Sequence, residues 1–371
     1  MEPFIPQKLP LREVKWEPLI PLIGKANRSL AYYDGTLCGV PNPEILLSPL
    51  TTQEAVLSSK IEGTQATLGE VLKFEAGEEP KEESLKLDIQ EIINYRRTFN
   101  TAEKALENKP FHLNLLLELH HMLLDSVRGR NKARGQFRTT QNWIGAAGSP
   151  IEQAEFVPPP PRVLMECLDN WEKYYHENRP DPLVQLAVLH AQFEIIHPFL
   201  DGNGRIGRML IPLFLYEKKL LSRPMFYLSS YLEKHRDTYT TRLRDLGKHT
   251  EAWNKWIEFF LTALAEQAHE NASKTRAIMD LYSTLKTKVL GLTHSQFAVP
   301  LLDQIFKQPL FQSSYINFPT GPKPSRQAVT KLLNIIKTGG ILKVLRKGSG
   351  RRAQLLALSE LINICEGKKV L

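Results

Sequence analysis

Residues 197–208 read His-Pro-Phe-Leu-Asp-Gly-Asn-Gly-Arg-Ile-Gly-Arg, and their types and spacing point to phosphate chemistry. His197 is the one group here that titrates near neutral pH, which makes it the candidate general base. Pro198 disfavours helical backbone at the residue before it, so a preceding helix ends with His197 at its C-terminus. Gly202 and Gly204 permit positive φ and close approach, so successive N–H groups can converge on an anion. A helix starting near Arg205 would aim its positive end at that anion. Arg205 and Arg208 are three residues apart and share a helix face, and guanidinium groups suit phosphate oxygens better than a point-charged ammonium. Two arginines and a nest imply a polyphosphate. Asp201 supplies the hard oxygen that a phosphate-bound Mg²⁺ takes.

Taken singly, a histidine is usually a satisfied surface or core residue, and a Gly-x-Gly is usually a turn. The conjunction within twelve residues carries the reading. Phe199 is assigned an apolar role, anchoring the loop on the core. The stretch resembles the signature of the Fic (filamentation induced by cAMP) family, His-Pro-Phe-x-Asp/Glu-Gly-Asn-Gly-Arg-x-x-Arg, with every fixed position present.

That resemblance implies protein adenylyl transfer, in which a target hydroxyl of Tyr, Thr or Ser attacks the α-phosphorus of the substrate ATP and pyrophosphate leaves. His197 would deprotonate the hydroxyl, and Asp201 would hold Mg²⁺. The stretch Gly202-Asn203-Gly204-Arg205-Ile206-Gly207-Arg208 would bind the nucleotide. Within it Asn203 would lie near the α-phosphate, Arg205 on the β-phosphate and Arg208 on the γ-phosphate. Tyr231 and Tyr239 fall where the family builds its adenine pocket, although aromatic residues on a helix are as often core. Ser58-Ser59-Lys60-Ile61-Glu62-Gly63 resembles the family's inhibitory motif, Ser/Thr-x-x-x-Glu-Gly/Asn. Glu62 would pair with Arg208 and deny it to the γ-phosphate, with Ser58 holding the helix end. Without the signature, Glu62 would read as a solvated helix glutamate. The resemblance leaves open whether Glu62 also positions water to reverse the modification.

The elements that must hold these residues are mostly helices. The first forty-odd residues are rich in proline and read as an irregular arm. Thr51 and Glu54 suggest a capping box opening a helix that runs to about residue 61, with Gly63 interrupting it before a second stretch through Leu68, Val71 and Leu72. Apolar recurrence at three and four predicts helices over 85–106, 113–127, 183–196, 205–215, 231–246 and 251–288. Asp181 and Pro182 mark the start of the third of these. Residues 136–161 read as a short hairpin inserted into the helical body, and they resemble the family's target-docking flap.

The tail predicts a helix over 294–306, Ser325 capping a helix over 326–338 that ends at Gly339-Gly340, and strands over 341–346 and 352–358. These describe a winged helix-turn-helix. The expected fold is therefore an all-α Fic-type core with a small β-hairpin flap and a C-terminal winged-helix domain. Its expected divisions are an N-terminal arm with the inhibitory helix (1–84), the catalytic core (85–264), a helical linker (265–290) and the winged helix (291–371).

At 371 residues, 42% hydrophobic and 24% charged, the chain is an ordinary globular protein rather than a disordered or disulfide-stapled one. The net charge of +8 hides an asymmetry: residues 274–371 carry +12 and residues 1–273 carry −4. The anionic-partner signal therefore lies in the tail, where Ser325, Arg326 and Gln327 would reach base edges and Lys347, Arg351 and Arg352 would contact phosphates of DNA. This leaves a second reading open, a DNA-binding transcriptional regulator whose core senses nucleotide. Cys38, Cys167 and Cys365 are widely separated and read as reduced bystanders. No apolar run approaches a membrane span of about 20 residues and no leader pattern is present, so a cytoplasmic protein is expected. A homodimer is left open.

Overall fold

The computed structural model describes every residue except Met1, Arg128, Arg130, Ala147, residues 248–250, Tyr315, Asn317, residues 319–322 and Arg351. Along the chain run helices α1 (Ile20–Cys38), α2 (Pro43–Leu46), α3 (Ser48–Ile61), α4 (Leu68–Glu75), α5 (Glu83–Leu106) and α6 (Leu113–Leu123). Then follow α7 (Pro161–His176), α8 (Pro182–Ile196), α9 (Asn203–Glu217), α10 (Ser229–Lys234), α11 (Arg236–Leu246) and α12 (Ala252–Thr293). The remainder is α13 (Ala298–Lys307), β1 (Leu310–Gln312), α14 (Arg326–Thr338), β2 (Lys343–Arg346), β3 (Leu355–Ala357) and α15 (Ser359–Glu366). The mostly helical expectation is met.

The chain divides into two compact units, each gathered from separated stretches. The first comprises Met1–Asp34, Leu57–Thr64 and Ile93–His269, and the second Gly35–Val56, Gln65–Ile92 and Glu270–Leu371. The sequential division expected above (1–84, 85–264, 265–290, 291–371) does not follow these units, because α1, α3, α5 and α12 each contribute to both.

At the centre of the first unit, α8 is buried on nearly every side. Such a helix shows no amphipathic stripe, so its start must be set by local chemistry. The Asp181 carboxylate accepts the N–H groups of Leu183 and Val184, each at 2.9 Å, with Pro182 in the first turn. Indole N–H groups of Trp171 and Trp256 donate to the α8 carbonyls of Leu189 and Ala187, both at 2.8 Å. Burying these large rings therefore leaves no orphaned donor. In the second unit β1, β3 and β2 form an antiparallel sheet in that order, with a register irregularity between Val344 and Arg346. Ser325 caps α14 by accepting the Ala328 N–H at 3.2 Å, and Gly339-Gly340 ends it as expected, Gly340 having φ +75°.

Several expectations are corrected. The proline-rich arm contains α1, because Pro18 and Pro21 fall around the start of a helix, where a missing N–H costs nothing. Thr51 and Glu54 are not a capping box: α3 begins at Ser48, and Thr51 and Thr52 lie within it, donating back to Leu47 O and Ser48 O. The capping box is instead Thr67 with Glu70, opening α4. The hairpin over 136–161 contracts, among its described residues, to one bridge between Ile144 and Phe156 and a single 3₁₀ turn. The helix over 231–246 breaks at His235 into α10 and α11. Helices α7 and α15 and strand β1 had no counterpart in the sequence reading. No helix among the described residues is long and apolar enough to cross a membrane.

Candidate functional site

The signature spans the joint between α8 and α9 in the first unit. His197 caps α8 in the left-handed region (φ 49°, ψ 61°), an uncommon conformation for a residue with a Cβ. It is held there by Arg138, whose guanidinium donates to the carbonyls of His197 (2.9 Å), Pro159 (2.5 Å) and Ile196 (3.3 Å). The backbone of Arg138 also donates to Pro198 O. A cation thus satisfies the carbonyl end of α8, as the helix dipole favours. Burial lowers Arg138 to about 10, still fully charged at neutral pH.

His197 Nδ1 lies 3.3 Å from Glu194 O. A carbonyl only accepts, so Nδ1 bears the proton and Nε2 bears the lone pair. Burial depresses the imidazole to about 4, which leaves it neutral at pH 7.

From Phe199 to Asn203 the loop is closed by a two-way amide lock: Asn203 Oδ1 accepts Phe199 N–H and Asn203 Nδ2 donates to Phe199 O, both at 2.8 Å. The side chain expected near an α-phosphate is therefore engaged in shaping the loop, and it is the backbone of Asn203 that opens α9. Phe199 is fully buried, as expected. Its ring stacks on His120 with centroids 3.8 Å apart and planes 10° from parallel. His120 Nδ1 accepts Gly135 N–H at 2.9 Å, which fixes Nε2 as the donor to Asp201 O at 3.0 Å. Burial keeps this ring neutral as well, at about 4.

Gly202 takes φ +83° at the N-cap of α9, and the first bond of the helix runs from Ile206 N–H to Gly202 O. Asn203, Gly204 and Arg205 therefore present first-turn N–H groups, as an anion cradle requires. Gly204 does not take a positive φ, and a Cβ there would displace the Glu62 carboxylate. Arg205 pairs with Asp201 at 3.1 Å. Ile206 is core, and Gly207 O accepts from His190 Nδ1 at 3.2 Å.

Arg208 is buried and triply held: Nε donates to Ser58 Oγ (3.0 Å), and Nη2 to Ser58 O (2.8 Å) and Glu62 Oε1 (2.6 Å). Ser58 thus grips the arginine itself rather than only the end of its helix. In the Arg208–Glu62 pair the side chains are 2% and 39% exposed. Burial opposes ionisation of Glu62, but the charge and hydrogen bond of Arg208, with Arg205 and His197 behind it, hold the carboxyl below the usual range. Gly63, at φ +105°, ends the helical path after α3. Arg236 donates to Ile61 O at 2.7 Å and Lys60 pairs with Glu233 at 2.8 Å, pinning the segment that carries Glu62.

The two tyrosines separate. Tyr239 is buried, with its hydroxyl against His190 Nε2 at 2.9 Å and its ring against Trp256, so it is a core residue. Tyr231 is half-buried against His235 and Phe259.

Sequence reasoning missed Arg138, His120, Arg236 and Glu194. Only Arg138 had a local hint, its place in Phe137-Arg138-Thr139-Thr140 before the bridge. Glu194 fills the space where a Cβ on Gly207 would sit, and its Oε1 is buried without a hydrogen-bond partner. Burial pushes it up to about 7, with Arg208 opposing and Glu62 adding to the shift.

Residues 20–104 match the Fic/DOC family N-terminal region and residues 110–215 the Fic/DOC family domain. Together these matches cover about half of the chain, which belongs to the Fic/DOC family. Among curated relatives, it is 30% identical over 211 residues to a probable protein adenylyltransferase of Aquifex aeolicus, covering 54% of this chain and 57% of that protein. It is 26% identical over 166 residues to protein adenylyltransferase fic-1 of Caenorhabditis elegans, covering 42% of this chain and 30% of that one. The matched part is thus little more than half of the first relative and under a third of the second. The crystal structure of a Fic family protein from Desulfovibrio desulfuricans G20 shares the fold at TM-score 0.59 and 20% identity, covering 96% of this chain and 98% of that one.

Because the folded-state pKa of Glu194 lies above its unfolded value, its contribution to stability declines as pH rises from the ordinary carboxyl range through about 7. Glu194→Gln removes that decline. Urea unfolding at acidic and at mildly alkaline pH is expected to show the variant gaining on the wild type as pH rises. A pH-independent difference would mean that Glu194 does not carry this proton.

Proposed function

We propose that this chain is an ATP-dependent protein adenylyltransferase, restrained by its own Glu62. A Ser, Thr or Tyr hydroxyl oxygen on a target protein attacks the α-phosphorus of ATP; the new phosphoester bond forms as the bond to the β-phosphate bridging oxygen breaks, and pyrophosphate leaves. The hydroxyl proton passes to Nε2 of His197. The observation that carries this reading is that tautomer: a neutral, buried imidazole, held through Nδ1 by Glu194 O, beside a helix N-terminus bearing two buried arginines.

The cradle of Gly202, Gly204 and the first-turn N–H groups suits the triphosphate, and Arg205 and Arg208 supply its counter-charge. Asp201 is a single carboxylate, and no cluster of three or more His, Cys, Asp or Glu suited to a metal occurs among the described residues. That donor set fits a Mg²⁺ carried mainly by substrate phosphates, with Asp201 as its protein ligand. Such an ion neutralises charge on the phosphates.

The restraint follows from the same geometry. Glu62 lies against Gly204 and Arg208, where a γ-phosphate needs the arginine. A triphosphate meeting that carboxylate is held out of line for attack. The partial exposure of Glu62 lets it leave while Arg208 stays buried. Its removal favours the forward transfer, and reversal by water positioned on Glu62 is the other direction the same residue allows.

A specific observation favours a second activity in the other unit. Arg326, Gln327, Thr330, Lys331, Asn334 and Thr338 form an exposed face of α14 without an acid, opposite buried Leu332, Leu333 and Ile336. This supports reading the C-terminal unit as a winged helix that binds duplex DNA, with α14 as the recognition helix. Arg351, assigned to phosphate contact from the sequence, lies outside the described residues.

With α-labelled ATP and Mg²⁺ in a host lysate, Glu62→Gly is expected to raise protein labelling on the order of a hundredfold. His197→Ala in that background should lower it by about 10² or more; equal labelling by wild type and Glu62→Gly would remove the restraint. Initial rates of the Glu62→Gly variant should stay flat from about pH 6 to 8, because the base titrates well below the ordinary histidine value of about 6.5. An acid limb centred near that ordinary value would contradict the buried-base account. Finally, Arg326→Ala should weaken a salt-dependent DNA mobility shift roughly tenfold. A shift without any labelling would favour a regulator over an enzyme.

A further inference from the structure

From residue 304 to 359 the chain has ten Lys or Arg and no Asp or Glu. Any carboxylate that meets this stretch within the second unit must therefore come from elsewhere in the sequence. Glu78 does so. Its Oε1 accepts from Arg346 Nη2 at 2.8 Å and from Gln312 Nε2 at 3.5 Å, and its Oε2 accepts from Arg352 Nη2 at 2.5 Å. The grip is built from β1, β2 and the turn between β2 and β3.

Glu78 is placed by the cap of α4. Gly77 turns at φ +82°, and the Glu78 N–H bonds back to Lys73 O at 2.9 Å. The carboxylate is 18% exposed, Arg346 23% and Arg352 61%. Two guanidinium groups converging on the two oxygens of one anion is also the way that arginines hold a phosphate.

We propose that Arg346 and Arg352 are the wing's phosphate-binding pair for duplex DNA, and that Glu78 occupies this pair until DNA displaces it. The inference rests on the nucleic-acid reading of this unit. Duplex DNA is the partner that the surface fits. The 13-residue α14 is about 20 Å long and presents Arg, Gln and Asn, the side chains that pair with purine edges in a major groove about 12 Å wide. Strand β2, which ends at Arg346, follows within a few residues of the end of α14, and the turn after it carries Arg352. With Glu78 in place the wing contributes little to phosphate contact, and α14 acts with reduced help.

The test is binding of the full chain to a short labelled duplex of mixed sequence, by fluorescence anisotropy over a salt series. Glu78→Gln is expected to tighten binding about tenfold at low salt and to steepen the slope of log K against log salt by about 1 to 2, the mark of two added phosphate contacts. Glu79→Gln makes the same charge change at an exposed neighbour with no ion pair among those described, and it should leave the slope unchanged. Adding Arg346→Ala and Arg352→Ala to Glu78→Gln should abolish the gain, with thermal unfolding confirming that the variants are folded. Equal shifts from Glu78→Gln and Glu79→Gln, or wild-type affinity and slope in Glu78→Gln, would overturn the proposal while leaving the DNA reading intact. Absence of binding by both wild type and Glu78→Gln would remove that reading and the proposal with it.

Discussion

The site of the first unit is organised by the need to compensate one buried cation, Arg208. Removing a guanidinium from water costs several kcal/mol unless anions and acceptors surround it. Ser58 and Glu62 meet that need from α3 and the turn after it, while Tyr239 and Glu194 face the same group from within the fold. The proposed restraint and the proposed substrate site are thus one requirement met in two ways, by a carboxylate of the chain or by a phosphate of the nucleotide. Glu194 shows what the arrangement excludes. It is buried, and burial first and the neighbouring Glu62 charge second push it toward the protonated form, against the pull of Arg208.

Positioning of His197, the proposed base, depends on its backbone carbonyl, which Arg138 holds, rather than on a charged partner of its imidazole. The left-handed turn at His197 would be costly alone, yet Arg138 secures the carbonyls on its outer side, and the Asn203–Phe199 lock fixes the chain beyond it. His120 adds a third tie, stacking on Phe199 and donating to Asp201 O. Burial makes the imidazole neutral, and the Glu194 carbonyl assigns its tautomer although that hydrogen bond by itself favours the charged form. Neither depends on the nucleotide being bound.

The second unit repeats the theme of an anion from a distant part of the chain answering a cationic surface. Its basic stretch lacks an acid of its own, and Glu78 ties three parts of the small sheet together. In both units a glutamate just beyond a helix end, held by the geometry of that end, occupies arginines that the proposals assign to an external phosphate.

Much of the signature was legible from residue types alone. Proline after histidine ends a helix, glycines open the next one, and two arginines at a spacing of three share a face. These are properties of a few adjacent residues and survive without knowledge of the fold. The N-cap at Asp181, the cap at Ser325 and the Gly339-Gly340 stop were legible for the same reason. Helix α1 was missed because prolines near a helix start look like breakers when read one by one. The break at His235 and the contracted hairpin depend on packing that a periodic pattern does not contain.

The sequence by itself determined which chemical groups are available, where most helices begin and end, and that the positive charge lies in the tail. Only the tertiary structure decided their partners: that the Asn203 side chain closes a loop onto Phe199, that Tyr239 is buried against Trp256, that Ser58 grips Arg208 directly, and that Glu194 and His120 stand behind the site. The reason is that burial and hydrogen bonding between residues far apart in the chain, such as Ser58 and Arg208 or Glu78 and Arg352, are set by the packing of helices and strands, and local spacing carries no record of that choice.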